Sequence, residues 1–219
     1  MVVELYEAGH GSDTAGKCSP DKSLREYRKA RELVRDIVAR RKAMGYDARI
    51  LVPEETDVPL AERARRVNAI CKQYGKANVL LVSVHCNAAG GDGKWKSAGG
   101  WCAYTSPGQT NADILATDLY NAAQIYLADY ITQFPVKKAL GAYDSKQRPI
   151  RTDYSDGDPD YEANFYILKK TQCPAVLTES MFQDNQSDVD FLLSPEGHNA
   201  IVDLHVRGVE TYVKRLQMK

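Results

Sequence analysis

An excess of charge of either sign is the first thing that this 219-residue sequence lacks. Its 29 lysine and arginine residues balance its 29 aspartate and glutamate residues, so the formal net charge is zero. Without a basic excess, nothing in the charge balance favours a nucleic-acid partner or an anionic membrane surface. We therefore expect the substrate to be recognised through local contacts, and not through a long-range electrostatic field.

Paired cysteines and long apolar runs are also missing. The five cysteines are scattered and contain no CxxC pair, so we expect neither a disulfide framework nor a cysteine-based metal cluster. The longest apolar runs have only the length of a strand, so the sequence shows no membrane span and no visible export signal. No linker or internal repeat divides the chain, and we expect residues 1–219 to form a single domain, with no indication of its oligomeric state.

What the sequence does contain is an alternation of strand-like and helix-like segments. Apolar stretches predict strands at 2–8, 48–52, 78–84, 101–105 and 175–178, and helical spacing predicts helices at 24–44, 60–74, 112–130 and 195–216. This alternation favours an α/β fold of three layers (α/β/α), in which helices cover both faces of a mostly parallel, twisted sheet. Residues 141–160 are rich in Asp, Pro, Gly and Tyr and are predicted to form a long surface loop.

Four residues that could perform chemistry stand out against this pattern. His10, His85 and Glu179 each come just after a predicted strand. Because ligands of such sheets bind beyond the carboxyl ends of the strands, we expect the three side chains to lie close together. Glu26 lies on the apolar stripe of the first predicted helix, where a carboxylate loses hydration and needs a partner.

Two histidines, one carboxylate and an open coordination position are typical of catalytic zinc. The hypothesis is that His10, Glu26 and His85 bind Zn²⁺, and that Glu179 is the general base for a water molecule and then the acid for a leaving amine. Taken alone, each glutamate has an ordinary interpretation: a first-turn residue favoured by the helix dipole, or a strand-end residue paired with an arginine. Their expected convergence with the histidines favours the metal site.

The two remaining histidines, His198 and His205, lie in the last predicted helix. They are two helical turns apart, so they could in principle approach the same ligand. We interpret both as ordinary structural residues of that helix.

Two competing motifs are weaker. Residues 11–17 have the G-x4-G-K spelling of a phosphate-binding loop, but Cys18 replaces the Ser or Thr that would bind magnesium, and a Ser-Pro-Asp segment follows where a helix should begin. A cysteine hydrolase built on Cys86 is disfavoured because adjacent residues of a strand point to opposite faces, which separates Cys86 from His85.

Short segments in the same order along the chain resemble the motifs of zinc-dependent N-acetylmuramoyl-L-alanine amidases. They are Glu7–Gly11 around His10, Glu26 near a helix start, Ser83–Ala88 around His85, and Glu179–Asn185; a helix with Arg63 and Asn68 is also similar. The resemblance covers nearly the whole chain. It implies hydrolysis of the amide bond between N-acetylmuramic acid and L-alanine, with His10, Glu26 and His85 as zinc ligands and Glu179 as the catalytic residue.

The same resemblance implies a peptidoglycan or muropeptide partner. The implied place of action is the bacterial cell wall, reached from the periplasm, after secretion, or as a phage lysin. Asn87 and Asn185 are candidates for substrate binding. Two alternatives stay open: a zinc carboxypeptidase acting on the stem peptides of peptidoglycan, and a peptidoglycan-binding module without catalysis. Glu179 argues against the binding module, since a binder needs no general base.

Overall fold

In the residues that the computed structural model describes (2–128, 130 and 149–218), six strands form one sheet between helices. The strands are β1 (Val3–Ala8), β2 (Asp47–Ile50), β3 (Val79–Asn87), β4 (Cys102–Thr105), β5 (Tyr161–Glu162) and β6 (Ala175–Phe182). The helices are α1 (Glu26–Ala43), α2 (Leu60–Tyr74), α3 (Asn111–Tyr126), α4 (Tyr166–Lys170), α5 (Gln186–Leu193) and α6 (Pro195–Gln217), with a 3₁₀ turn at Lys76–Asn78.

The strand order across the sheet is β2-β1-β3-β6-β4-β5. Strands β2, β1, β3 and β6 are parallel neighbours, whereas β4 is antiparallel to β6 and carries β5 parallel to itself. The four parallel strands therefore end at the same edge of the sheet, and the prediction of a mostly parallel sheet is confirmed.

Helices lie on both faces of the sheet. Successive side chains of each strand point to opposite faces, and both faces are apolar, so both are covered. In β1, Leu5 belongs to the core beneath α2 and α4, and Tyr6 belongs to the larger core beneath α1, α3 and α6. The predicted three-layer arrangement is thus confirmed. Among the described residues, no helix is both long and apolar enough to cross a bilayer.

Two predicted strand ends are wrong. Strand β3 continues to Asn87 and β6 to Phe182, so His85 and Glu179 lie inside the strands and not after them. The two residues are register partners in the ladder between β3 and β6. A charged side chain does not end a strand whose neighbour still supplies backbone hydrogen bonds, and local sequence does not show that neighbour.

The predicted helix 112–130 is shorter in the structure, since α3 ends at Tyr126. Of the predicted loop, residues 149–160 form no helix and no strand, only bends, irregular chain and one isolated bridge from Ile150 to Trp101, while 141–148 lie outside the described residues. The short elements β5, α4 and α5 carry too few residues to show a period in the sequence.

A buried ion pair fixes α1 on the sheet. The Arg41 guanidinium, near the end of α1, donates to both carboxylate oxygens of Glu4 in β1 at 2.6 and 2.9 Å. Both side chains are fully buried, and the Tyr6 hydroxyl donates to the same carboxylate at 3.0 Å. With its hydrogen bonds made, this pair specifies how α1 is placed more than it adds net stability.

His205 and His198, both in α6, have separate partners. The His205 Nδ1 atom lies 2.7 Å from the Ile201 carbonyl oxygen and its Nε2 atom lies 2.9 Å from the Thr178 hydroxyl. Because His205 is fully buried, its pKa falls from 6.5 to about 4. His198 instead contacts Lys29 and Asp36 near the surface. Neither histidine reaches the other, in agreement with a structural role for both.

Acid should destabilise the fold through His205. The unfolded chain gains the proton near pH 6.5 but the folded chain only near pH 4, so this contribution is complete above that window and is lost as the pH falls through it. When the pH falls from 7 to 5, the unfolding free energy of the wild type should decrease by about 2 kcal/mol more than that of His205→Gln. Urea denaturation at both values tests this. The control Val209→Ala leaves a cavity beneath the same helix and should lower the unfolding free energy equally at both pH values. A pH dependence in His205→Gln equal to that of the wild type would refute the assignment.

Candidate metal centre

His10 reaches the site from the loop after β1. Its backbone has a positive φ of 60°, and its ring remains partly exposed. The preceding residue, Gly9, bonds back to the sheet through its N–H, 2.9 Å from the Val84 carbonyl oxygen. A Cβ atom at Gly9 would lie 2.2 Å from the His85 ring, so only glycine lets this loop pass so close to that ring.

Glu26 begins α1, where the helix dipole favours a carboxylate. Its backbone N–H donates to the Lys17 carbonyl at 3.0 Å, which fixes the start of the helix. The side chain is 1% exposed. Its Oε1 atom accepts from the Cys86 backbone N–H and lies 3.1 Å from His85 Nδ1, while Oε2 accepts from the Gln183 amide at 3.2 Å.

The three predicted ligands come together. His10 Nε2 lies 3.5 Å from Glu26 Oε1, and one ligand atom from each of His10, Glu26 and His85 lies within 4.8 Å of the other two. The two imidazole rings stand edge to face with centroids 5.2 Å apart. Three elements distant in sequence thus direct nitrogen and oxygen donors at one point.

The protonation of His10 and Glu26 fits metal binding. Burial lowers the pKa of His10, which favours the neutral imidazole that a metal requires. Burial alone would raise the pKa of Glu26 and lower that of His85, but the hydrogen bond between the two outweighs it, so the pKa of Glu26 is lowered and that of His85 is raised. The carboxylate therefore retains its charge although it is buried. An imidazole and carboxylate set of this kind suits zinc.

Glu179 stands beside this cluster on β6, opposite His85 in the ladder. Its Oε2 atom is buried and has no hydrogen-bond partner among the described residues. Burial, reinforced by the negative charge of Glu26 and opposed by His85, raises the pKa of Glu179 to about 7. A carboxyl group that titrates near neutrality can both accept and return a proton.

A cavity of about 380 Å³ opens beside three of the four residues, and Glu26 is not part of its lining. His10, His85 and Glu179 line it on the sheet side, and the walls come from the start of α2 and from α4. The wall residues include Val58, Pro59, Leu60, Phe165, Tyr166 and Ile167. Polar groups that converge in an apolar cleft of this size are typical of a small-molecule or peptide site.

A further buried carboxylate, that of Glu7, lines the same cavity. Glu7 accepts from the Ser83 hydroxyl at 2.7 Å and from Arg63 at 3.2 Å, and Arg63 also donates to the Ala8 carbonyl at 2.9 Å. This arrangement fixes the end of β1, from which the His10 loop leaves. Sequence reasoning assigned no role to Glu7, although a glutamate within an apolar strand already signals a buried cationic partner.

Gln183 is the other residue whose function sequence reasoning missed. It follows Met181, which has a positive φ of 68°, and this turn brings the Gln183 amide back to Glu26. Its Oε1 atom is buried without a hydrogen-bond partner among the described residues. In a regular strand, Gln183 would lie on the same face as Glu179, because side chains alternate with a period of two. The positive φ at Met181 interrupts this alternation, so the sequence pattern does not predict where Gln183 points.

The proposed substrate contacts have structural partners. The Asn185 side chain caps α5 by accepting from the Asp188 N–H at 3.1 Å, and its amide lies 3.3 Å from the Ser97 carbonyl oxygen. Asn87 accepts from the Ala88 N–H at 2.8 Å and is partly exposed at the end of β3. Contact of either asparagine with substrate stays a prediction.

The competing motifs find no support in the structure. No helix follows Lys17 before α1 begins at Glu26, so residues 11–17 lack the geometry of a phosphate-binding loop. Cys86 is buried in the core beneath α1, on the other face of β3 from His85, and burial raises the pKa of its thiol well above the usual value.

Comparison with known proteins agrees with this geometry. A family model described as N-acetylmuramoyl-L-alanine amidase matches residues 6–211. An endolysin of Bacillus phage SPP1 is 27% identical over 208 residues, which are 93% of this chain and 63% of the endolysin. The chain therefore spans less than two thirds of the length of this curated relative.

Solved structures share the fold. The catalytic domain of CwlV, an N-acetylmuramoyl-L-alanine amidase from Bacillus (Paenibacillus) polymyxa var. colistinus, has a TM-score of 0.70 at 20% identity, covering 98% of this chain and 99% of that one. The CwlD amidase of Clostridioides difficile, solved with the GerS lipoprotein, has a TM-score of 0.73 at 15% identity, covering 98% and 100%. With the family model matching most of its length, the chain belongs to the N-acetylmuramoyl-L-alanine amidase family.

Proposed function

We propose that this protein is a zinc-dependent amidase that hydrolyses the bond between N-acetylmuramic acid and L-alanine in peptidoglycan. The observation that carries the proposal is the convergence of His10, Glu26 and His85 beside the partnerless Glu179 Oε2 atom. Membership of the amidase family supports the choice of scissile bond. In this proposal residues 1–219 act as one catalytic domain at the bacterial cell wall, and the phage relative, an endolysin, supports a lysin role.

His10, Glu26 and His85 would hold the zinc ion, with two nitrogen ligands and one oxygen ligand. When bound, zinc supplies the Lewis acidity that polarises a carbonyl group and acidifies a water molecule. Gln183 and the Cys86 N–H hold the Glu26 carboxylate in place, so its orientation is set before any ligand arrives.

Glu179 performs the proton transfers in this proposal. Its carboxylate accepts a proton from the attacking water and then donates it to the amine of the departing peptide. A pKa of about 7 suits both transfers at neutral pH. Phe165 and Ile167 line the same cavity and give its wall an apolar surface beside these polar groups.

Digestion products distinguish an amidase from a carboxypeptidase. We expect mass spectrometry of digested peptidoglycan to show glycan strands free of peptide, together with stem peptides that begin with a free L-alanine amine. Release of a single terminal amino acid from intact muropeptides would contradict the proposal, because that product requires cleavage at the other end of the stem.

Metal content tests the ligands. Purified protein should contain about one zinc ion per chain, and His10→Ala and His85→Ala should each lose most of it, since each removes one of three ligands. His198→Ala is the matched control, because this histidine contacts Lys29 and Asp36 and lies outside the cluster. Elemental analysis by mass spectrometry measures all four proteins. Full zinc content in both ligand variants would place the metal elsewhere.

Substitution of the two glutamates should impair different properties of the protein, zinc binding for Glu26 and turnover for Glu179. Glu26→Gln should weaken zinc binding, because a neutral amide is a poor zinc ligand. Glu179→Gln should keep zinc and fold while losing about 10²–10⁴-fold in turnover, because an amide cannot accept and return a proton. Zinc content and peptidoglycan turnover should be measured on the same preparations. If Glu179→Gln loses zinc and Glu26→Gln keeps it, the two roles are reversed.

A further inference from the structure

Three carboxylates form a second cluster, which shares no residue with the proposed zinc ligands. Asp113 lies in the first turn of α3, and Asp158 and Asp160 lie in the loop that leads into β5. One oxygen of each residue lies within 4.8 Å of the others. Asp160 is 2% exposed and Asp113 is 6% exposed, so this cluster is no ordinary patch of solvated surface charge.

The hydrogen bonds of the cluster leave specific oxygens free. Thr105 donates its hydroxyl to Asp160 Oδ2 at 2.6 Å, and Gln109 donates its amide to Asp158 Oδ2 at 3.0 Å. The backbone N–H of Thr110 donates to Asp113 Oδ2 as part of the cap of α3. The remaining oxygens, Asp158 Oδ1 and Asp160 Oδ1, are buried and accept no hydrogen bond from an N–H or hydroxyl group within the described ranges. An unpaired carboxylate oxygen out of water carries a large desolvation penalty.

Positive charge that would balance the cluster is also missing from its contacts. No lysine or arginine in the described part of the chain forms an ion pair with any of the three aspartates. Arg215, which shares the surface depression with Asp113 and Asp158, is paired with Asp118 at 2.7 Å. Burial and a hydrogen bond to the Asp158 carboxyl group raise the pKa of Asp160 to about 8, so at neutral pH and without a cation a proton lies between these two side chains. Three carboxyl groups held this close need either a retained proton or a cation among them, and a cation of higher charge can replace the proton.

We propose that Asp113, Asp158 and Asp160 bind one Ca²⁺ ion at a site separate from the proposed zinc centre. All the available donors are oxygens, which selects a hard cation over a transition metal. Ca²⁺ tolerates irregular geometry and six to eight ligands, so water completes the shell around the three carboxylates. The ion would join the loop before β5 to the start of α3, two segments more than 40 positions apart in the printed sequence.

Calorimetric titration with CaCl₂, on protein supplied with one equivalent of zinc, tests the site. We expect one Ca²⁺ per chain, and an affinity at least about tenfold weaker in Asp160→Asn and in Asp158→Asn, since each removes one charged ligand. Asp190→Asn is the matched control, because this aspartate is exposed on α5 and belongs to no cluster. His85→Ala should also keep Ca²⁺ binding, and this separates the site from the zinc centre.

Thermal unfolding gives a second readout. Without Ca²⁺ at neutral pH, Asp160→Asn should melt near the wild-type temperature, because the Asp160 side chain is then mostly protonated and asparagine has nearly the same shape. With millimolar Ca²⁺, the wild type should gain several degrees and Asp160→Asn should gain none. The proposal is overturned if the wild type takes up no Ca²⁺, if Asp160→Asn binds it as tightly as the wild type, or if His85→Ala abolishes the binding. A failed zinc assay leaves these results unaffected, so the two proposals are tested independently.

Discussion

The buried carboxylate of Glu26 is the contact on which the proposed active site depends. It receives hydrogen bonds from the backbone of β3, from the His85 ring and from Gln183, and it lies 3.5 Å from the His10 ring. A carboxylate without these donors would be costly to bury at this depth. The site is therefore assembled only when four segments of the chain are in place together.

The position of Glu26 is set from the far end of its own helix. Apolar residues of α1 fix which side faces the sheet, while Arg41 and Glu4 fix how far along the sheet the helix lies. On the other face, Arg63 and Glu7 hold the end of β1. Each buried ion pair thus has a directional function, which apolar packing cannot perform because apolar contacts tolerate small sliding movements.

Much of the fold and of the candidate site could be predicted from the sequence. The bounds of α2 are predicted to the residue from its helical spacing, and those of β1 to within one residue because a mostly apolar stretch ends at Gly9. The joint placement of His10, His85 and Glu179 follows from a general property of parallel sheets, and Glu26 stood out as a charge on an apolar stripe. These inferences need only local patterns and one rule of topology.

The parts of the fold and of the site that the sequence does not predict depend on contacts between residues that are distant in sequence. Strands β3 and β6 extend past His85 and Glu179 because they pair with each other, and Gln183 reaches Glu26 because the chain turns at Met181. The interaction of Glu7 with Arg63 links positions 56 residues apart. None of these contacts leaves a periodic signal, since each is decided by tertiary structure and not by the neighbouring residues.

Gly9 shows how a position without any reactive group can limit the chemistry of an enzyme. It offers no ligand and no proton, but the His85 ring occupies the volume where its first side-chain carbon would have to lie. Alanine at this position would leave every donor atom chemically intact and still push the imidazole aside by an appreciable fraction of a bond length. In a mutational scan, Gly9 should therefore be as intolerant of substitution as the proposed zinc ligands, for a purely steric reason.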